Sequence, residues 1–343
     1  MNANFRALGL VATGLLVACG GGGGGAAPVP ATPQAVVITQ DNAKPVAANA
    51  LNSVQNTSAT QSGAGIVTGV QVNAASTPVH SNLILIAQAA RMSVELAAAR
   101  AATLPVGIVI NDTFACALGG SLTVSGGIAS TNGLSAGDSL NVTYNACRMN
   151  SDGADATLNG GLSIAVVSGS LMSIPAQLVL ATTANNLSVQ SGGSTVVTSG
   201  DARMDIAVAS STSVVVIATG AAITSRLTTA AGTLTTTTRN YTQRVSVNGV
   251  TVSGSLSASV ETDSTRIGPA GGSYTITTPT AVVWNGGTGA VTAGVVKVVG
   301  AANSQLVATI DSNGGVALQV DANGDGAFEA TSSATIAELK TLL

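Results

Sequence analysis

The chain has 343 residues, 12 basic and 15 acidic side chains, a single histidine and a formal net charge of −3. Its Lys and Arg are scattered and form no basic stripe, which argues against nucleic acid as a partner. Hydrophobic residues make up 45% of the chain, yet only 2% are aromatic and 8% charged, where an ordinary soluble domain carries roughly 25% charged. The core must therefore be built from Val, Ala, Leu and Ile, and the surface from Ser, Thr, Asn and Gly. That is the composition of a secreted β-rich protein, with few charges to guard exposed strand edges.

Met1–Ala18 carries one positive side chain, Arg6, no acid, and an eleven-residue apolar run from Ala7 to Val17. The run is too short to span roughly 30 Å of hydrocarbon, so it reads as a secretion signal. It closes on Leu16-Val17-Ala18-Cys19 and opens onto the glycines Gly20 to Gly25. These residues resemble the lipobox of bacterial lipoproteins, and the resemblance covers residues 1–19. It implies loss of residues 1–18, a diacylglyceryl group on the sulfur of Cys19 and an acyl group on its amine. Several acyl chains at about 0.8 kcal/mol per buried CH₂ make an anchor that hardly dissociates. Gly20 stands where an aspartate would mark retention at the inner membrane, which by the same resemblance implies the outer membrane.

From Gly20 to about Ala50 the chain passes through glycines and then Pro28, Pro30, Pro33 and Pro45, the composition of a tether. Leu51 to Ser76 is rich in Ser, Asn, Gln, Thr and Ala, either more tether or a loosely packed first element. The spacing of Leu83, Ile86, Ala90, Val94 and Ala97 predicts a helix over 82–102, capped by Ser81 or Asn82 and stopped by Pro105. Its apolar stripe would lie across the β-sheet that follows, or occupy a ligand groove there.

Beyond Pro105 the language is strand and hairpin. TFACALGGSLTVSG and GDSLNVTYNACRM face each other across a Gly-rich loop. With Cys19 assigned to the anchor, Cys116 and Cys147 form an even pair in an exported chain, which predicts a disulfide. Two free thiols or a metal pair would lack the further ligands that zinc needs. Further strands are predicted at 157–168, 175–183, 204–218, 222–238, 272–279 and 291–299. A turn at Asn248-Gly249 would pair Val247 with Val250, Val245 with Val252 and Tyr241 with Leu256, while Arg244 opposes Ser253. A hairpin at Asn313-Gly314 would set Val307, Thr309, Val316, Leu318 and Val320 on one face. Loops follow at Asn285-Gly286-Gly287 and at Asp321–Gly326. Finally, SATIAELKTLL reads as a short helix capped by Ser333 or as a last strand, with Ile336, Leu339 and Leu342 closing the core.

The expected fold is mainly β, a long antiparallel meander in the form of a curved sheet, half-barrel or barrel-like body, with the one amphipathic helix near 82–102. The expected organisation is a signal peptide at 1–18, a lipidated cysteine and tether at 19–50, a polar lead-in at 51–81 and a single helix-plus-β domain at 82–343. An outer-membrane barrel needs aromatic girdles, which three Phe, three Tyr and one Trp cannot supply.

Catalytic patterns are few. His80, the only histidine, reads as a solvated or capping residue. Gly133-Leu134-Ser135-Ala136-Gly137 has the letters of a nucleophile elbow, but that motif needs a strand-to-helix context and a downstream histidine. The acid pairs Asp152/Asp155 and Asp201/Asp205 lack the aromatic platforms usual in sugar-cleaving sites. The best candidate site is Asp321-Ala322-Asn323-Gly324-Asp325-Gly326-Ala327-Phe328-Glu329. Asp321, Asn323, Asp325 and Glu329 are oxygen ligands spaced as in the first half of an EF-hand calcium loop, although the twelfth position is Ser332. The same letters are what a plain hairpin turn requires, so weak structural Ca²⁺ and a bare turn both stand.

These features predict a non-enzymatic envelope lipoprotein of the outer membrane with a structural, adhesive or protein-binding role, associating with itself or with an envelope partner. The rival expectation is a carrier or chaperone holding an apolar ligand, such as a lipid, in a groove between sheet and helix.

Overall fold

From residue 108 onward β-branched and aliphatic residues alternate with Ser, Thr and Asn, and a period of two is the signature of strands with one buried face. The computed structural model describes residues 33–55, 108–129, 134–151, 154–170, 174–210, 212–230, 232–286 and 288–342, all within one compact unit, Pro33–Leu343. Helix α1 (Ala43–Gln55) comes first. It is followed by β1 (Ile108–Ala115), β2 (Ser121–Ile128), β3 (Ser139–Ser151), β4 (Ala154–Ser170), β5 (Ala176–Ser191), β6 (Ser194–Ser210) and β7 (Ser213–Thr229). Then come β8 (Gly232–Asn248), β9 (Thr251–Thr262), β10 (Gly272–Asn285), β11 (Val291–Val299), a 3₁₀ turn (Ala301–Asn303), β12 (Gln305–Ile310), β13 (Gly315–Asp321), β14 (Ala330–Thr335) and α2 (Ile336–Lys340).

The strands form a single 14-stranded sheet in sequence order, and every neighbouring pair is antiparallel. Short connections permit nothing else, because a parallel crossover needs a dozen or more residues. The sheet is open: among the described residues β1 pairs only with β2, and β14 only with β13. No described helix is long and apolar enough to cross a membrane.

One face is apolar and buried, as at Leu122, Val142, Leu162, Leu178, Met204, Val216, Val245, Ile276, Leu306 and Leu318. The other presents cross-strand polar pairs, including Thr113 with Thr123 at 3.0 Å, Asn141 with Ser163 at 2.7 Å and Thr224 with Thr237 at 3.0 Å. Helix α1 packs against β9 to β13 and against α2.

The long central strands carry a line of bulges. Register slips between Tyr144 and Cys147 in β3, Asn159 and Gly161 in β4, Ala184 and Leu187 in β5, Gly200 and Arg203 in β6, and Arg239 and Thr242 in β8. Ala146, Gly160, Asn186, Gly200 and Asn240 all take positive φ there. Side chains replace the ladder bonds lost: Asn159 Oδ1 accepts from Ala146 N at 2.8 Å, and Ser199 Oγ accepts from Asn186 N at 3.1 Å. A bulge bends its strand and raises the local twist, so these aligned bulges crease the sheet across β3 to β9.

Several expectations are corrected. The tether was expected to reach residue 50 and the lead-in to begin at 51, but Val36 N donates to Ser273 O at 3.0 Å and α1 spans 43–55 with Val46, Ala50 and Val54 buried. Its alanine-rich stripe is too weakly hydrophobic to stand out from low-complexity sequence. The strands expected at 204–218 and 222–238 straddle the true turns at Ser210–Ser213 and Thr229–Gly232, where Ser, Thr, Ala and Gly look the same in strand and turn. At the β8–β9 turn Asn248 pairs with Thr251 and Val247 with Val252, so Gly249-Val250 is the turn. Gly249, at φ +60°, takes the first central position as a type II′ turn demands. The shift moves each partner by two residues, which keeps Tyr241, Val245, Val247, Val252 and Leu256 on the buried face, but it puts Val250, expected opposite Val247, in the exposed turn. Val307 and Thr309 point outward with Gln319 and Ala317; the inward set is Leu306, Ala308 and Ile310 with Val316, Leu318 and Val320. The cap of α2 is Thr335, not Ser333, in a capping box with Glu338. The helix expected over 82–102 lies outside the described residues.

Candidate functional site

The disulfide joins Cys116, in the β1–β2 turn, to Cys147, in β3. Cys19 lies outside the described residues, as do His80 and Asp152.

The loop between β13 and β14 brings the candidate metal residues together. Asp321 ends β13, and its side chain is fully buried. Its Oδ1 accepts from Gly324 N at 2.6 Å and its Oδ2 from Gly326 N at 2.9 Å. Asn323 Oδ1 accepts from Asp325 N at 2.9 Å, and Asn323 Nδ2 donates to Asp325 Oδ2 at 3.1 Å. Asp325 Oδ1 accepts from Ala327 N at 2.8 Å, and Glu329 Oε2 accepts from Ala322 N at 2.9 Å. Oxygens of Asp321, Asp325 and Glu329 lie within 4.8 Å of one another. Gly324, at φ +75°, is forced by the neighbouring 3₁₀ turn, because a Cβ there would strike the Ala302 carbonyl oxygen. Three carboxylates and an amide carbonyl form a hard oxygen set that suits Ca²⁺ rather than a soft metal. Ser332, in the twelfth position, lies in β14 opposite Leu318, so the bidentate ligand of a full EF-hand loop is missing. The backbone N–H groups engage every one of these acids, which closes the turn by itself.

The other predicted chemistry is dispersed. Ser135 belongs to a turn organised by Asp138, a buried carboxylate that the sequence reading missed. Asp138 accepts from Ala129 N at 2.7 Å, from Ser135 N at 2.8 Å and from Ser135 Oγ at 3.3 Å. The serine hydroxyl thus donates to a turn carboxylate that backbone N–H groups of Ala129 and Ser135 also hold. Asp155 and Asp205 stand on the exposed face beside Arg148 at 3.9 Å and Arg203 at 3.4 Å, and Asp201 is exposed as well. Asp201 and Asp205, both exposed on the open outer face of β6, do not flank a cleft as glycoside hydrolysis requires.

The outer face also holds a bidentate ion pair, Arg239 to Glu261 at 2.9 and 3.1 Å. The hydrogen bond to Glu261, and then its charge, raise the Arg239 pKa. Burial first, and then the charge of Asp201, raise the pKa of Tyr241, whose hydroxyl donates to the Asp201 carbonyl at 2.9 Å. Burial alone raises that of Tyr274. A cleft of about 300 Å³ lies among Asn49, Leu227, Leu234, Asp263, Arg266 and Leu342. A second, of about 320 Å³, opens on Thr242, Ser257, Thr277, Thr278 and Pro279. Both are shallow and mixed in lining. They join residues far apart in the chain, so no local motif could have announced them.

Comparison with protein-family models, with curated proteins and with solved structures finds no match to this chain.

Proposed function

We propose that this chain is a non-enzymatic lipoprotein of the bacterial outer membrane, anchored through Cys19, whose body acts by contact with other proteins. One observation carries the contact role: the sheet ends on two strands that each have a single neighbour among the described residues, while its apolar face is already buried. What remains for partners is a polar, charge-poor outer face and the two terminal strands, β1 and β14. The lipobox-like residues 16–19 carry the anchor. A carrier of apolar ligands would instead need inward Val, Leu and Ile within a ligand's reach, and Leu178, Leu180, Ile276 and Leu306 are fully buried.

Expression of the full chain in a Gram-negative host tests the reading. The mature protein should begin at Cys19, carry acyl chains by mass spectrometry and fractionate with the outer membrane, whereas Cys19→Ser should abolish the acyl mass and the outer-membrane location. The Cys19→Ser chain, secreted behind an ordinary cleavable leader and extracted with organic solvent, should release no stoichiometric lipid. One bound acyl lipid per chain would establish the carrier in its place, and an intact leader on wild-type protein would remove the anchor.

A further inference from the structure

We infer that the cleft among Asn49, Leu227, Leu234, Asp263, Arg266 and Leu342 binds a short peptide with free ends and an apolar side chain. This goes beyond the contact role proposed above and depends on neither the anchor nor a partner protein.

The amide of Asn49 is the first argument. Asn49 stands in α1 among Ala47, Ala48 and Ala50, where a further alanine would be the better helix former. It is 8% exposed and lines the cleft. Its Nδ2 donates to Pro45 O at 3.0 Å. A carbonyl can only accept, so the nitrogen is the atom turned to Pro45 and Oδ1 is left over. The one other bond to this residue, from Ser53 Oγ, goes to the main-chain oxygen, and no donor among the described residues meets Oδ1. Buried amide oxygens in folded proteins nearly always have a partner. This one is not sealed in, as the Tyr274 hydroxyl is, so an N–H group lying in the cleft can reach it.

Charge is the second argument. Asp263 and Arg266, three residues apart between β9 and β10, line the same cleft, yet among the described residues neither forms an ion pair, with the other or with a third group. Neutral bonds hold them instead: Asp263 Oδ1 accepts from Thr235 N at 2.6 Å, and Arg266 Nη1 donates to Thr341 O at 3.1 Å. Asp263 Oδ2 and the remaining guanidinium N–H groups are left for a ligand. A simple anion would meet Asp263 and a simple cation would meet Arg266, whereas a zwitterion satisfies both, with its ammonium toward Asp263 and its carboxylate toward Arg266.

The lining and size are the third. Leu227 and Leu234 are cross-strand partners, and with Leu342 they are half-buried, an apolar wall for one aliphatic side chain. A volume of about 300 Å³ is at the small end for ligand sites and suits a dipeptide better than a folded partner. A fatty acid would use Arg266 and the leucines but leave Asn49 Oδ1 and Asp263 unmatched.

The test is an NMR titration of the secreted Cys19→Ser chain with the dipeptide leucylalanine, with its N-acetyl form and with its C-terminal amide. The parent should bind leucylalanine with a Kd on the order of 1 mM or below. Each blocked form should bind about fivefold more weakly, because each loses one exposed charge pair. Arg266→Gln should weaken leucylalanine by the same factor and leave the amide unaffected. Asp263→Asn, which keeps the oxygen that accepts from Thr235 N, should weaken leucylalanine and leave the N-acetyl form unaffected. Asn49→Ala should bind more weakly while melting no lower than the parent, since alanine is the better helix former. No saturable shift with leucylalanine, blocked forms that bind as well as the free dipeptide, or an Arg266→Gln that weakens dipeptide and amide alike would overturn the inference. An Asn49→Ala that melts lower with unchanged affinity would overturn it too, by making the amide a structural group. The acyl-mass and fractionation results would be unaffected by any of these outcomes.

Discussion

The central and C-terminal parts of the sheet solve the same problem differently. Strands β4 to β8 are 16 or 17 residues long and creased by bulges, whereas β11 to β14 are six to nine residues long and run in unbroken register from β11 to β14. The short strands are backed by α1 as far as β13, and α2 packs on β14. A long antiparallel strand accumulates twist, and bulges relieve it by bending the strand, at the cost of ladder bonds that Asn159 and Ser199 replace. A short strand needs no such relief and takes its burial from a helix. The 14-residue β10 does both: its register against β11 slips three times, and it packs against α1.

The largest expected effects ask whether the two parts unfold as one. Leu178 in β5 and Leu318 in β13 are both fully buried, so Leu178→Ala and Leu318→Ala should each cost about 2–5 kcal/mol. Chemical denaturation should show a single transition in both variants. A two-step curve for Leu318→Ala alone would mean that the helix-backed part melts by itself. Next is the clasp at the other end. Replacing Cys116 and Cys147 with Ala opens a bridge spanning 31 residues and should cost about 3–4 kcal/mol in the chain-entropy account. Because the bridge ties the β1–β2 turn to β3, amide exchange should rise first in β1 and β2.

The crease itself is tested at glycine. Gly160 has φ +96°, and a Cβ there would strike the Asn186 carbonyl oxygen, whereas Gly249, at φ +60°, has open space around it. Gly160→Ala should therefore cost about 2–3 kcal/mol, by strain plus collision, and Gly249→Ala about 1 kcal/mol by backbone strain alone. Equal losses in thermal denaturation would mean that the bulges are slack rather than tight.

The same contrast explains what the sequence could and could not reveal. The meander, the disulfide partners and the gathering of Asp321, Asp325 and Glu329 in one loop were legible, because alternation, cysteine parity and turn letters are local signals. The β6–β7 and β7–β8 turns were not, because Ser-Ser-Thr-Ser and Thr-Ala-Ala-Gly do not differ from the Thr-rich strands beside them. Bulges compound the difficulty: after Asn240 the inward set is Tyr241, Gln243, Val245 and Val247, while Thr235–Thr238 upstream alternates in nothing a reader can see. Helix α1 was hidden for a different reason, since an alanine-rich stripe becomes a helix only when a sheet is there to receive it.

The smallest expected effect separates two buried tyrosines, one in the crease and one beneath the helix-backed part. Tyr241 donates its hydroxyl to Asp201 O, while the hydroxyl of Tyr274 is buried with no partner. An unmade hydrogen bond in the interior is a standing cost, so Tyr274→Phe should stabilise the fold by about 1 kcal/mol at neutral pH, and Tyr241→Phe should destabilise it by a similar amount. Both phenols have folded pKa values above the ordinary 10.0. As pH rises past 10 the unfolded chain gives up those protons while the folded chain holds them, so stability present below pH 10 is lost above it. Unfolding measured at pH 9 and at pH 11 should therefore show a smaller drop for Tyr274→Phe than for wild type, with Tyr241 still titrating. An unchanged drop would mean that the Tyr274 ring is reached by water and that this part of the sheet is less tightly closed by α1 than its burial implies.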